Sequence, residues 1–515
     1  MFMSSEGKRP RKAKGGRGCA RFQAALLLFV SFSFCTNALS QTGSKANFSV
    51  AAHLDNFIND TAFRHAGISI SMVDAESGAL IAGHNEDMAL SSASVMKLVT
   101  TAAALEIMGP DFRFATKVGY AGSLNRDDSL LKGNIIIKGG ADPTLLSEYF
   151  PDHNKDLFDR WAEALYSAGI RKVSGSVVAD AMIFDYHPSP GGWNWSDLGN
   201  YYGAGAHGIC VFDNMFRIHF RTGQEGEMPG ITGIEPDIPG LVIENRLVSY
   251  GERDNGYVYM EPYGKHAVIR GEIPPGKDDF ILKASIPDPP FIAASLLQEA
   301  LSERGIFFEK QPTSLRLSPD LAADYRFSEK VVVHTSYSPP LSEIIAATNT
   351  ESLNMYAEQL LKYAGLLFSR VEMSTLESGL EAVQQALAYM LKDFDGLYMT
   401  DGSGLSRSNA LSSRFLVSLL YYMKKESPHA GFFYNSLPRA GKDGTLEYYF
   451  KDPVFSDKLR AKSGTSARIR NYAGYFKTSS GRELAFAVLV NNFDCSSSQV
   501  TARVEKLLQG IIEDH

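Results

Sequence analysis

The chain reads as a mixed α/β protein of several domains, in which an antiparallel sheet covered by helices is interrupted by small β-rich insertions. Three observations predict this. Strand hairpins stand near both ends, helix-forming stretches flank them, and the middle of the chain has a different texture. At 515 residues the chain exceeds one ordinary domain, and 44% hydrophobic with 21% charged residues is a globular composition.

The elements follow in order. Lys8, Arg9, Arg11, Lys12, Lys14, Arg17 and Arg21 precede the apolar run 22–34, and Ala38-Leu39-Ser40 offers small residues before Gln41. That run is shorter than the ~20 residues a membrane helix needs, so residues 1–40 read as a secretory signal peptide, with a retained signal anchor as the competing reading. Its removal leaves 44 basic and 57 acidic residues, a net charge of −13 against −7 for the whole chain. An acidic protein of this kind is a poor partner for nucleic acid or an anionic membrane surface. No later run is long enough to span a bilayer. Only Cys210 and Cys495 follow the leader, and one distant pair does not decide for or against a disulfide.

Ile68-Ser69-Ile70-Ser71-Met72-Val73-Asp74 alternates as a strand, turns at Glu76-Ser77-Gly78 and returns through Leu80-Ile81-Ala82. An apolar helix follows from Val95 to Met108. Residues 113–330 carry short strand signals (134–138, 177–180, 257–260, 266–270, 280–284) broken by Gly-Pro turns, with helical stretches near 156–168 and 291–304. These predict one or two inserted β-rich domains between a first part at 41–112 and a second at 331–515. Helix signals return over 331–423. Strands at 472–476 and 484–490 then flank Ser479-Ser480-Gly481-Arg482. Val500, Val504, Leu507, Leu508, Ile511 and Ile512 form the stripe of a closing helix. The two ends are expected to meet in one sheet.

Three short motifs carry chemistry: Ser94-Val95-Met96-Lys97, Ser352-Leu353-Asn354 and Lys462-Ser463-Gly464-Thr465. Letters alone are weak, since Ser5-Glu6-Gly7-Lys8 and Ser123-Leu124-Asn125 repeat two of the patterns. Context separates the copies: Ser94 opens a long apolar helix and Ser352 leads into helix formers, whereas Ser123 sits in a polar turn. An i,i+3 spacing puts Ser94 and Lys97 on one helix face. A lysine can take the serine proton only if its pKa falls from ~10.4, as burial in an apolar helix together with a neighbouring cation such as Lys462 would make it do. Lys462 also suits a substrate carboxylate, with the hydroxyls of Ser463 and Thr465. Gly464 would let a substrate backbone approach the strand edge. Backbone N–H groups of Ser94 and Thr465 are the expected oxyanion donors. Ser352 can relay a proton, and Asn354 can orient Lys97. Helix capping is the plain alternative for Ser94 and Ser352. No metal or cofactor pattern competes. His207 reads as structural or as a cleft-wall residue, and no GxSxG elbow is present.

With these residues in place, the chain resembles the low-molecular-mass penicillin-binding proteins of the D-Ala-D-Ala carboxypeptidase/endopeptidase group, which carry a large insertion after the SxxK helix. The SxxK, SDN and KTG letters are that group's known signature. Gly139-Gly140-Ala141-Asp142-Pro143-Thr144-Leu145, Asn200-Tyr201-Tyr202-Gly203-Ala204-Gly205 and Asp401-Gly402-Ser403-Gly404-Leu405-Ser406-Arg407 extend the likeness over nearly the whole chain after the leader. The resemblance implies a penicillin-binding transpeptidase/β-lactamase-like fold and no cofactor. It makes Ser94 an acylated nucleophile with Lys97 as its base, and makes peptidoglycan stem peptides the substrate. β-Lactams would be the inhibitors, and the periplasm or cell-wall space the location. It further implies stem recognition by Asp180 and Arg407. Two departures stand out: Lys-Ser-Gly replaces Lys-Thr-Gly, keeping the hydroxyl, and Leu353 stands where a polar residue is frequent. A homodimer is neither required nor excluded. The competing readings are a β-lactamase, opposed by the 258 positions between the first two motifs, and a non-catalytic wall-binding or penicillin-sensing module.

Overall fold

The computed structural model describes residues 42–325, 330–369 and 373–515; the expected leader at 1–40 lies outside them. The two hairpins join in one five-stranded antiparallel sheet. Its strand order is Leu459–Ser466, Ile469–Lys477, Glu483–Asn491, Gly67–Asp74, Leu80–His84. Gly67–Asp74 lies in register along Glu483–Asn491, so the early and late parts of the chain close the sheet together.

Helices cover both faces, and this explains the sequence of the central strands. Glu483–Asn491 reads Leu-Ala-Phe-Ala-Val-Leu-Val without alternation because each side meets a core. On one face Ala473, Tyr475, Ala485, Ala487 and Leu489 pack with the Met96–Met108 and Ser413–Lys425 helices. On the other, Ile68, Ile70, Met72, Phe486 and Val488 pack with Val50, Leu54 and Phe57 of one helix and the expected stripe of Ser497–Asp514. Met96–Met108 is buried from Met96 to Leu105, which is why it is apolar all round; Lys97 is its one buried charge.

The inserted region holds a seven-stranded mixed sheet and two three-stranded sheets. Its first long strand, Ala115–Asn125, pairs antiparallel with Lys330–Tyr337. The helix signals expected from 331 onward therefore begin only at Leu341, and the expected boundary at 330/331 falls at the start of a strand of the inserted sheet. The inserted region packs directly on the helices: Phe184, Ala204 and Cys210 share a core with Met355, Tyr356 and Leu360. Cys210 and Cys495 are both free thiols. Among the described residues no helix is long and apolar enough to cross a membrane.

Candidate active site

The first motif sits at a tight turn. Ser94 lies in a 3₁₀ turn, Ala93–Val95, just before the Met96–Met108 helix, and Ala93 adopts the left-handed φ of 42°. The 401–404 loop presses on this turn: a Cβ on Gly404 would stand 1.9 Å from the Ala93 carbonyl oxygen. From the other side comes the third motif. A Cβ on Gly464 would meet the Ser92 oxygen at 2.8 Å and the amides of Val95 and Ser94 at 3.1 and 3.2 Å. The close approach that demands glycine here is therefore to the chain's own Ser94 turn, an addition to the substrate approach expected from sequence.

Lys97 is fully buried and makes three contacts through Nζ: Asn354 Oδ1 at 2.6 Å, the Ser403 carbonyl at 2.8 Å and Ser94 Oγ at 3.0 Å. The amide of Asn354 is oriented by its other end, since Nδ2 donates to the Tyr202 carbonyl at 2.8 Å. The first two partners accept only. They use two N–H bonds, and the third contact, to a hydroxyl, runs in either direction. A neutral amine thus satisfies every partner and keeps a lone pair directed at the Ser94 hydroxyl. Burial pushes Lys97 down to about 7, against the opposing charges of Asp401 and Glu358. Burial, expected from the apolar helix, is the leading cause, and Lys97 and Lys462 also repel each other.

Asp401 and Glu358 were not singled out from sequence. Glu358 lies one turn beyond Asn354 and accepts from the Gly402 and Ser403 amides at 3.0 and 2.8 Å. Burial, and then the charge of Asp401, raise its pKa. Asp401 accepts from Gly404 N, Ser406 N, Asn409 Nδ2 and Trp193 Nε1 at 2.6–2.9 Å, holding the loop whose Ser403 carbonyl touches Lys97. An acid at i+4 from Asn354 and one opening Asp401-Gly402-Ser403-Gly404 were the available signals.

Ser352 stands between the Leu341–Thr350 and Asn354–Ser369 helices with a left-handed φ of 63°. Its hydroxyl accepts from Lys462 Nζ at 2.9 Å, and the same nitrogen donates to the Ser463 carbonyl at 2.8 Å. Lys462 is fully buried and pushed well below its usual pKa by burial, then by the charges of Lys97 and Arg470. Leu459–Ser466 is an edge strand whose outer side is taken up to Ala461 by residues 438–440. Past that point Thr465 and Ser466 face a cleft of about 730 Å³.

That cleft gathers Ser94, Ser352, Asn354, Arg407 and Thr465. Lys97, Lys462 and Ser463 stand buried behind its wall. The opposite wall comes from the insertion: Asp197, Tyr201, Tyr202, Tyr257 and Tyr259. Asp180 is not brought here. It is 7% exposed at the end of the Val177–Asp180 strand, where Oδ1 accepts from the Met182 amide at 3.1 Å. The carboxylates of the insertion that do line the cleft are Asp197 and Asp213. His207 also lies elsewhere, buried edge-on against Tyr263. Among the described residues no group of three or more His, Cys, Asp or Glu is placed to hold a metal ion.

Sheet, helices and cleft together define a penicillin-binding serine peptidase. Comparison with known proteins agrees. The family model of D-Ala-D-Ala carboxypeptidase 3 (S13) matches residues 50–511. A D-alanyl-D-alanine carboxypeptidase of Actinomadura sp. (strain R39) is 30% identical over 506 residues, covering 95% of this chain and 90% of that one. The D-alanyl-D-alanine carboxypeptidase DacB of Haemophilus influenzae is 24% identical over 438 residues, 84% of this chain and 86% of its own. In fold, the crystal structure of penicillin binding protein 4 (dacB) from H. influenzae superposes with a TM-score of 0.74 at 20% identity, over 88% of this chain and 97% of that one. The chain belongs to the D-Ala-D-Ala carboxypeptidase 3 (S13) family and is a low-molecular-mass penicillin-binding protein, a serine-type D-Ala-D-Ala carboxypeptidase.

Proposed function

We propose that this enzyme acts outside the cytoplasm on peptidoglycan stem peptides, through an acyl-enzyme on Ser94. The observation that carries the reading is the set of three contacts at Lys97, two of which require N–H donors and leave the lone pair for Ser94. Ser94 Oγ gives its proton to Lys97 Nζ and bonds to the carbonyl carbon of the penultimate D-Ala. The carbonyl oxygen takes negative charge against the N–H groups of Ser94 and Thr465. As the C–N bond breaks, the leaving amine receives a proton from Lys97, relayed by Ser352. Water then adds to the ester, giving one proton back to Ser94, and the shortened stem is released.

Thr465, with Lys462 and Ser463 buried behind it, receives the carboxylate of the leaving residue, which supplies the counter-charge a buried lysine lacks. Arg407, exposed on the rim, reaches the stem. A cross-linked stem whose leaving amine belongs to a second stem fits the same chemistry, so endopeptidase action belongs to this reading. β-Lactams acylate the same serine; the H. influenzae protein has been solved in complex with one.

The test is intact-mass spectrometry after benzylpenicillin, with peptide mapping and a time course. The expected result is a lasting adduct on Ser94, absent in Ser94→Ala, and D-alanine released from muropeptides. Rapid loss of the adduct with drug turnover would mean a β-lactamase. No adduct would mean a non-catalytic module.

A further inference from the structure

We propose that Arg470 is a positioning residue of this reaction, a buried guanidinium behind Thr465 that draws the free α-carboxylate of the leaving residue to its end of the cleft. This rests on the acyl-enzyme reading of Ser94 and adds to it a group that belongs to none of the three motifs.

Arg470 stands directly across from Thr465 in the pairing of Leu459–Ser466 with Ile469–Lys477. Its side chain lies between the rings of Tyr449 and Tyr472, and the residue is 5% exposed. Nε donates to Tyr472 Oη at 2.7 Å and to Thr501 Oγ1 at 2.9 Å, and Nη1 donates to Thr465 Oγ1. Nη2 is buried and has no hydrogen-bond partner among the described residues. All its bonded partners among the described residues are neutral oxygens. A buried charge with neither counter-ion nor complete hydrogen bonding is costly, and the cost falls when a ligand brings the missing charge. The neighbour sharpens the point. Lys462 is also buried, bonded to a hydroxyl and a carbonyl, and feels the charge of Arg470. The one acid felt by Lys462 is Glu351, on the cleft rim.

Thr465 links this charge to the cleft it lines. Its hydroxyl accepts from Arg470, so its single proton is left for another acceptor. A carboxylate at that position receives the Thr465 O–H with a guanidinium directly behind it, the arrangement that makes a charge-assisted bond strong.

The experiment compares acylation of the whole protein by benzylpenicillin, which carries a free carboxylate, and by its methyl ester, which does not. Second-order rates are read by intact mass for wild type, Arg470→Gln and Arg470→Lys. Arg470→Gln is expected to slow the free acid about 10- to 100-fold, the worth of a charged hydrogen bond, and the ester far less, so that the preference for the acid collapses. Arg470→Lys should recover part of that preference. Equal slowing of both compounds, or an unchanged ratio, would mean that Arg470 only supports the fold and would overturn the proposal. A wild-type protein that takes no adduct on Ser94 from either compound would defeat the Ser94 reading itself, and this inference with it.

Discussion

Between Asn354 Oδ1 and the Ser403 carbonyl, Lys97 meets two acceptors that ask for N–H bonds, and only the contact to Ser94 is left open. Its depressed pKa sets a direction for the pH profile. With the neutral amine as the proposed working form, acylation by benzylpenicillin should rise with pH through about 7, where Lys97 gives up its proton, rather than near its unperturbed ~10.4. Stopped-flow or quench-mass rates from pH 5 to 9 check this, and a flat profile would exclude Lys97 as the base. Lys97→Met should cost about 10²–10⁴-fold in the same rate. The Ser94–Lys97 spacing was legible in the sequence because i,i+3 is a local property of a helix. Glu358 and Asp401 were not, because nothing local says that a helix acid and a loop acid converge under Lys97.

The elements place these residues by pressing backbone on backbone. Gly464 lets the Leu459–Ser466 strand touch the Ser94 turn, so Gly464→Ala must push that turn by several tenths of an ångström or more. The expected outcome is a loss of roughly 10²-fold in acylation, the penalty of a small misplacement of a reacting group, with a melting temperature lowered by overpacking worth about 1–3 kcal/mol. A melt close to wild type with full acylation would refute the contact. At the far end of the sheet, Asp74 joins two turns. Burial opposes its ionisation, but Arg482 at 2.6 Å and the Ser77 amide at 2.8 Å outweigh that and hold it down to about 2. A depressed carboxylate stabilises the fold above its unfolded pKa and loses that contribution as pH falls through the folded one. Asp74→Asn should therefore melt lower than wild type at pH 6, by about 2 kcal/mol, with the gap closing toward pH 2. Both hairpins were legible from alternation and turn residues. The Asp74–Arg482 pair was not, since its members lie 408 positions apart.

At the scale of the whole molecule, the insertion is part of the site. Tyr202 orients Asn354 through its carbonyl, and the aromatic wall of the cleft is inserted chain. The insertion is fastened to the helices by buried polar contacts. Lys362 Nζ, 3% exposed, meets Asp185 at 2.5 Å and the His187 carbonyl at 3.0 Å; Tyr356 Oη donates to Asp213 at 2.7 Å. Lys362→Met leaves Asp185 without its buried lysine, with only the exposed His187 ring beside it at 3.2 Å, and should destabilise the protein by about 3 kcal/mol. A denaturation series checks this, and adding Asp185→Leu should recover part of the loss. No change in the single variant would show that the pair does not hold the insertion in place.

The sequence by itself determined the two hairpins, their meeting in one sheet, the helix after Ser94, the closing helix and the residues of the three motifs. All of these follow from periodicity, turn chemistry and short spacings, which are written along the chain. The tertiary structure alone decided which groups of the insertion reach the cleft, placing Asp197 there and Asp180 in a sheet elsewhere. It also decided that Lys330–Tyr337 continues the inserted sheet and that Arg470 stands behind Thr465 with no acid bonded to it among the described residues. The reason is physical. Burial, and the company a charge keeps, are properties of packing between segments hundreds of residues apart, and no local pattern of residue types encodes them.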